Sequence, residues 1–395
     1  MKTIVRYIIN LLRAFFGVLC FLFPVKKNKI CFLSFSGRGY CGDPKYICEE
    51  LDWDAFTLVW GIKDKASAKT VPNCVKPCSI YSFSWIFHLM TAGVWISNCR
   101  DSFYFKRKST LYINTWHGGG MQKKCEADAP FLSKGYIKAA KRDSKHIDLF
   151  LSDSIKQTEL FKKSFWYNGY VFKSGSPRNQ KLLVLDKYSK DIQSIKNSLG
   201  IDSEAFVVTY CPTFRDSMSV ELFNLDFLKI KTILESFYNK KVYVLLRLHP
   251  NLVRCHVSFE CDAIDVSDYQ DSQDILMITD LLISDYSSII YDYSLTNKFA
   301  IRYIPDLDDY SHERGLYYPL DSYPWPIAFS ADEIINLVKN IPYDSYLNRL
   351  QEFRKTIGDY GILSPLTSVK SVVNSYCFSK VSKKELFELF KNSLA

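Results

Sequence analysis

Residues 280–296 read DLLISDYSSIIYDYSLT. Leu281, Leu282 and Ile283 form a short continuous apolar run, the pattern of a strand buried on both faces of a parallel sheet. The run stops at Asp285-Tyr286-Ser287-Ser288, and IIYDYSLT has the composition of a following helix. Open α/β sheets bind ligands outside the carboxyl ends of their strands, where this polar turn falls. Ser287 or Ser288 is placed to cap the helix, and the N–H groups at such a start attract phosphate. For an isolated serine pair plain capping is the better account, so the reading depends on whether the chain repeats it.

It does. FVVTY runs into Cys211-Pro212-Thr213-Phe214-Arg215, VYVLLRL into His249-Pro250, and FAIRYI into Pro305-Asp306. In the first half, FTLVWGI (56–62), AGVWISN (92–98), LYINTW (111–116) and IDLFLSD (147–153) are similar short apolar runs. KICFLSF leads into a glycine loop that contains Gly37, and helical stretches such as 43–51 and 154–163 lie between the runs. Strands alternating with helices predict a parallel sheet covered on both faces. With 395 residues the chain exceeds what one hydrophobic core usually serves. The expectation is an α/β protein of two Rossmann-like, doubly wound domains facing a central cleft. The expected division is an N-terminal amphipathic helix over 1–27, a first domain over 28–174, a second over 175–342, and C-terminal helices over 343–395. The boundary is placed at YVFKSGSPRNQ, where Gly175 and Pro177 interrupt the pattern.

The residues at the strand ends suggest a site for a charged substrate. His117 follows LYINTW and precedes Gly118-Gly119-Gly120, where backbone can approach a ligand closely. A neutral imidazole there can take a proton from an attacking hydroxyl. His249, two residues after Arg247, is placed to offset charge on a departing phosphate. The guanidinium of Arg215 suits bidentate phosphate binding, and Thr213 and Asp285 share its neighbourhood in this reading. Lys123 adds charge beside the glycines, and Arg178 and Arg314 are weaker candidates. No metal site is expected. Asp52-Trp53-Asp54 imitates a DxD metal motif but falls between a predicted helix and strand, where a solvated turn accounts for it. The chain has no Walker loop and no GxSxG.

The formal net charge of +9 suits an anionic partner: nucleic acid, an anionic membrane surface or phosphorylated substrates. The 12 cysteines are scattered without a CxxC, which argues against a thiolate zinc site and for reduced thiols in the cytoplasm. The N-terminus, MKTIVRYIINLLRAFFGVLCFLFPVKKNK, carries Arg6 and Arg13 within an apolar run and ends in Lys26, Lys27 and Lys29. Its uninterrupted apolar part, 14–23, falls short of the ~20 residues that cross a bilayer. The expected role is a helix lying in the membrane interface, with its cations among the headgroups.

Taken together, these blocks resemble the CDP-glycerol glycerophosphotransferase family of teichoic acid primases and polymerases and their capsule-building relatives. FLSFSGRGYCGDPKYICEEL is similar to the family's first glycine loop, NTWHGGGMQKK to its Trp-His-Gly block, and GSPRNQ to its Gly-x-Pro-Arg-Asn segment. YCPTFRD, LRLHPN and LLISDYSSIIYD resemble its C-terminal blocks, and FAIRYIPDLDDYSHERGLYY its closing segment. Three positions depart from the family pattern. Gly118-Gly119 stands for Gly-Thr, Gln180 for Asp, and Pro324-Trp325-Pro326 for Pro-Gly-Pro.

The resemblance implies a GT-B fold, no required metal or other cofactor, and a CDP-alditol donor bound mainly by the second domain. It matches His117 and His249 to the family's two functional histidines. It also implies transfer of glycerol phosphate from CDP-glycerol to a hydroxyl of a lipid-linked saccharide or growing polymer, with release of CMP. The expected partners are that donor, that acceptor and anionic lipids at the cytoplasmic face of the membrane, with no nucleic acid. CDP-ribitol as donor, a nucleotide-sugar glycosyltransferase of the same fold, and a non-catalytic polyanion binder are the alternatives.

Overall fold

A computed structural model describes residues 2–101, 105–118, 122–213, 225–248, 263–306 and 315–392, with the side chains of 2–10 and 391–392 outside the description. The chain divides into two compact units, each built on one all-parallel sheet. Unit 1 comprises 1–117, 131–180 and 360–395; unit 2 comprises 118–130 and 181–359.

The sheet of unit 1 has seven strands in the order β3-β2-β1-β4-β5-β6-β7. They are β1 (Lys26–Leu33), β2 (Thr57–Ile62), β3 (Lys76–Ser79), β4 (Ala92–Ser97), β5 (Leu111–Asn114), β6 (Leu149–Ser152) and β7 (Tyr170–Lys173). The central strands β4, β5 and β6 are buried along their whole length, which is why they read as unbroken apolar runs. Phe32 and Trp60 stack in the core, which the C-terminal helix Pro365–Phe378 closes with Val369, Val372, Val373 and Tyr376. Serines start the covering helices: Ser82 accepts Trp85 N–H, Ser133 accepts Tyr136 N–H, and Ser154 accepts Gln157 N–H.

The sheet of unit 2 has six strands in the order β10-β9-β8-β11-β12-β13. They are β8 (Phe206–Cys211), β9 (Val242–Leu246), β10 (Ile264–Asp265), β11 (Leu281–Ser284), β12 (Phe299–Tyr303) and β13 (Ile327–Ala328). Helices Phe227–Tyr238 and Ala331–Asn340 cover one face through Ile230, Leu234, Ile334 and Ile335. On the other face Trp325 sits in an aromatic cluster with Tyr291, Tyr323 and Phe353. The tryptophan that departs from the family pattern is therefore a core residue, 1% exposed.

The expected boundaries differ from this division at four places. The change near the middle falls at Gln180/Lys181. Residues 343–395 do not form a separate element: helix Tyr343–Ile357 belongs to unit 2, while Pro365–Phe378 and Lys383–Asn392 belong to unit 1. Residues 118–130, which follow β5 of unit 1, pack with unit 2. At the N-terminus the first helix is Lys2–Leu19, and the basic cluster expected among headgroups is part of β1. Lys29 is buried and donates to Thr91 Oγ1 at 2.6 Å, while Lys27 Nζ lies 3.8 Å from the centre of the Tyr376 ring. Arg13 likewise turns inward, donating to the Ile80 carbonyl at 2.7 Å. Among the described residues no helix is long and apolar enough to cross a membrane.

Candidate active site

In unit 1 the loops after β1, β4 and β5 meet at His117. His117 Nδ1 lies 2.6 Å from the carbonyl oxygen of Asn98, the residue after β4. A carbonyl only accepts, so Nδ1 carries the proton and the lone pair of the neutral ring is on Nε2. Asn98 is itself held by the first glycine loop. Its Oδ1 accepts Phe35 N–H at 2.8 Å, and its Nδ2 donates to Ser34 Oγ at 3.1 Å. Gly42, at φ +64°, makes this fit possible, because a Cβ there would stand 2.8 Å from Asn98 Nδ2. Gly37, at φ +87°, turns the same loop, and a Cβ on it would meet Lys63 N at 2.9 Å. The His117 ring packs against Trp116 at 4.5 Å and edge-on to Phe35 at 5.6 Å.

In unit 2 the predicted strand-end residues of β8 and β11 come together. Asp285 accepts Thr213 N–H at 2.8 Å and Thr213 Oγ1–H at 2.6 Å, and it also accepts Ser287 N–H at 3.2 Å. The carboxylate thus joins two turns and orients them. The helix beyond, Ile289–Ser294, has only six residues, and Ser288 at its start makes no side-chain capping bond. This corrects the capping reading for Ser288; Ser287 Oγ, by contrast, lies 3.4 Å from Ile289 N.

The segment after His117 runs to this turn. A Cβ on Gly118 would lie 3.4 Å from Ser288 Oγ, a close approach that glycine leaves open. Gln122 Nε2 donates to the Asp285 carbonyl at 3.3 Å. Lys123 forms an antiparallel bridge with Leu316, flanked by Lys124 N–H to Gly315 O at 3.1 Å and Tyr317 N–H to Gln122 O at 3.0 Å. Lys123 is thereby fixed in the backbone of unit 2, against Gly315, Leu316 and Tyr317.

Two predicted residues have structural partners instead. Arg247 Nη1 donates to the carbonyls of Val266 and Tyr269 at 3.0 and 2.7 Å, clamping the turn after β10. Arg178 is buried in an ion pair with Asp43, whose carboxylate also accepts Ser176 Oγ–H and Arg178 N–H, each at 2.9 Å. A buried pair of this kind, with its oxygens satisfied, ties GSPRN to the start of helix Gly42–Glu50. His249, Arg215, Arg314 and Gly119 lie outside the described residues. Sequence reading missed Asn98, Asn114 and Gln122, uncharged amides whose importance comes only from their partners. Among the described residues no group of three or more His, Cys, Asp or Glu could hold a metal ion, and the described cysteines are free thiols.

A family model described as CDP-Glycerol:Poly(glycerophosphate) glycerophosphotransferase matches residues 15–360. The teichoic acid glycerol-phosphate transferase of Staphylococcus aureus is 30% identical over 331 residues, 80% of this chain and 84% of its own length. The teichoic acid poly(glycerol phosphate) polymerase of Bacillus subtilis is 29% identical over 82% of this chain, and the match spans 45% of that longer protein. The teichoic acid ribitol-phosphate primase of Bacillus spizizenii is 27% identical over 90% of this chain and 93% of its own. A solved structure of the wall teichoic acid polymerase TagF superposes with a TM-score of 0.81 at 25% identity, covering 98% of each chain. The two parallel-sheet units are accordingly of GT-B type. The chain belongs to the CDP-glycerol:poly(glycerophosphate) glycerophosphotransferase family.

Proposed function

We propose that this protein transfers glycerol phosphate from CDP-glycerol to a hydroxyl of a teichoic-acid-type acceptor and releases CMP. The acceptor oxygen attacks the phosphorus that carries glycerol, the bond from that phosphorus to the CMP oxygen breaks, and the hydroxyl proton passes to His117 Nε2. The observation that carries this reading is the orientation of His117, whose Nδ1–H is engaged by the Asn98 carbonyl while Nε2 keeps its lone pair. Thr213, Asp285, Ser287 and Ser288 form the donor-side turn in this reading, with Gly118 leaving room beside Ser288. Arg215 and His249 are assigned to the donor phosphates, as the sequence suggests. Phosphoryl transfer asks a protein mainly for positioning and electrostatic stabilisation, which such an arrangement supplies.

The test is CMP release by the purified chain with CDP-glycerol and, separately, CDP-ribitol, each with a lipid-linked disaccharide acceptor. Release with CDP-glycerol is the expected result. Release with CDP-ribitol alone would favour the second reading, which the near full-length alignment with the ribitol-phosphate primase supports. Release of a nucleoside diphosphate from a nucleotide sugar, with no CMP from either donor, would overturn both.

The same proposal places the protein at the cytoplasmic face of the membrane, on the first helix. Leu11, Leu12, Phe15 and Val18 are each more than half exposed, and Leu22 is 84% exposed. Burying the exposed half of such a side chain in an interface contributes roughly 1 kcal/mol. Vesicles containing anionic lipid are expected to co-sediment the protein, and a Leu12→Glu, Phe15→Glu variant is expected to lose at least tenfold in partitioning. Equal partitioning of both proteins would remove the helix from the membrane assignment.

A further inference from the structure

A pair of buried acids lies behind His117. Asp101, just after β4, and Asp143, on helix Lys134–His146, both face the phenol of Tyr112 on β5. Tyr112 Oη is 3.0 Å from Asp101 Oδ2 and 3.3 Å from Asp143 Oδ1, and it accepts Asn114 Nδ2–H at 3.3 Å. A phenol has one proton and cannot donate to two carboxylates at once. Arg100 Nη1, 3.3 Å from Asp143 Oδ2, makes Asp143 the ionised member. Asp101 pairs with no cation among the described residues. The phenol therefore donates to Asp143 and accepts from a protonated Asp101.

We propose that Asp101 and Asp143 hold one proton between them through Tyr112, and that this pair is a positioning element for His117. The role assigned to His117 rests on the function proposed above; the proton-holding pair does not. Two routes join the pair to the histidine. Asn114 Nδ2 donates to Tyr112 Oη and to the Cys99 carbonyl at 3.0 Å, next to the Asn98 carbonyl that holds Nδ1. Asn114 Oδ1 accepts Trp116 N–H at 2.9 Å, fixing the residue before His117 at its left-handed φ of 56°. On the second route Arg100, anchored by Asp143, Ser144 Oγ at 2.8 Å and the Phe165 carbonyl at 3.1 Å, lies over the Trp116 ring. That ring in turn packs on His117.

Among the described residues, the titratable and charged groups facing Asp101 and its partner Asp143 are Arg100 and Cys99 on the segment of Asp101 and Tyr112 on β5. Burial and the Asp143 charge push the Asp101 carboxyl far above the usual carboxylate range. Burial also raises Asp143, opposed by Arg100. A carboxyl held above its unfolded value binds a proton that the unfolded chain has already lost. Its contribution to stability therefore falls as pH rises from the unfolded value towards the folded one. Beyond that point a second negative charge sits in the dry interior beside Asp143, and the segment carrying Asn98 loosens.

The experiment compares the full chain with Asp101→Asn, whose amide donates to Tyr112 as the acid does but has no proton to lose at any working pH. Thermal unfolding is followed from pH 5.5 to 8.5. The melting temperature of the variant relative to wild type is expected to rise by roughly 3–6 °C across that range. A difference that does not change with pH would overturn the shared proton. Asp143→Asn supplies the check if Asp101→Asn does not fold. Without the neighbouring charge Asp101 ionises more readily, so the loss of stability should end at lower pH and be smaller in total. The imidazole NMR signal of His117 reports positioning without turnover. It is expected to move with the alkaline transition in wild type and to stay fixed in Asp101→Asn, and the alkaline limb of kcat, with KM for CDP-glycerol unchanged, should move to higher pH in that variant. An unfolding difference with no change at His117 would leave a stability device and overturn the positioning role. Absence of CMP release in wild type would overturn the proposed reaction, while the unfolding and NMR results would still decide the pair.

Discussion

His117→Asn is expected to keep the fold and the donor KM while lowering kcat by roughly 10²–10⁴-fold, the usual contribution of a positioned general base. The substitution separates two functions of the ring. An asparagine amide N–H replaces Nδ1–H towards the Asn98 carbonyl, now met at 2.6 Å, so the loop keeps its tie. Nothing replaces the Nε2 lone pair. The wild-type rate should fall on the acid side of its pH profile, where protonation removes that lone pair, and the variant should have no such limb. Steady-state CMP release at several pH values measures both effects. A variant within a few-fold of wild type would show that the acceptor proton goes elsewhere, and would reduce His117 to a structural contact of Trp116 and Phe35.

What the sequence discloses of this arrangement follows from where the physics is local. β2, β4, β5, β6, β8, β9, β11, β12 and the second half of β1 are legible because a strand segment buried on both faces must be apolar. β3, β7, β10 and β13 are not. Each lies at or next to a sheet edge, and Lys76-Pro77-Cys78-Ser79 has one buried residue of four. An edge tolerates proline and needs no apolar run. His117 and the Asp285–Ser288 turn stand out because polar groups at strand ends are conspicuous against those runs. The partners that define their states do not. Arg247 reads as a phosphate ligand until Val266 and Tyr269, about twenty residues later, present their carbonyls to it. The transfer of 118–130 to unit 2 depends on a bridge between Lys123 and Leu316, residues whose own types say nothing about pairing. Asp101 and Asp143 become a proton-holding pair only when β5 sets Tyr112 between them.

Trp325→Gly, which restores the glycine of the family's Pro-Gly-Pro, is expected to destabilise unit 2 by about 3–6 kcal/mol. Removing a buried tryptophan side chain costs roughly 3–5 kcal/mol in transfer and cavity terms, and glycine adds up to about 1 kcal/mol of chain entropy. Trp325 loses its packing on Tyr291, Tyr323 and Phe353 and its Nε1–H bond to Ser294 Oγ at 3.1 Å. It also uncovers Arg302 on β12. That guanidinium is fully buried, makes no hydrogen bond among the described residues, and lies 4.1 Å from the Tyr323 ring and 4.9 Å from Trp325. Burial draws its pKa down to about 10, so it stays charged at any working pH. Aromatic faces are its stabilising surroundings, and a desolvated cation–π contact contributes about 2 kcal/mol. Arg302→Leu alone removes an unpaired buried charge and should be neutral or stabilising by roughly 1–4 kcal/mol. In the double variant the uncovered charge is gone, so the loss should be smaller than the sum of the single changes by roughly 0.5–3 kcal/mol. Urea unfolding of the four proteins measures that coupling. Additive losses would mean that the tryptophan fills volume without sheltering the arginine. A Trp325→Gly protein as stable as wild type, with an altered choice between CDP-glycerol and CDP-ribitol, would return this position to the donor pocket.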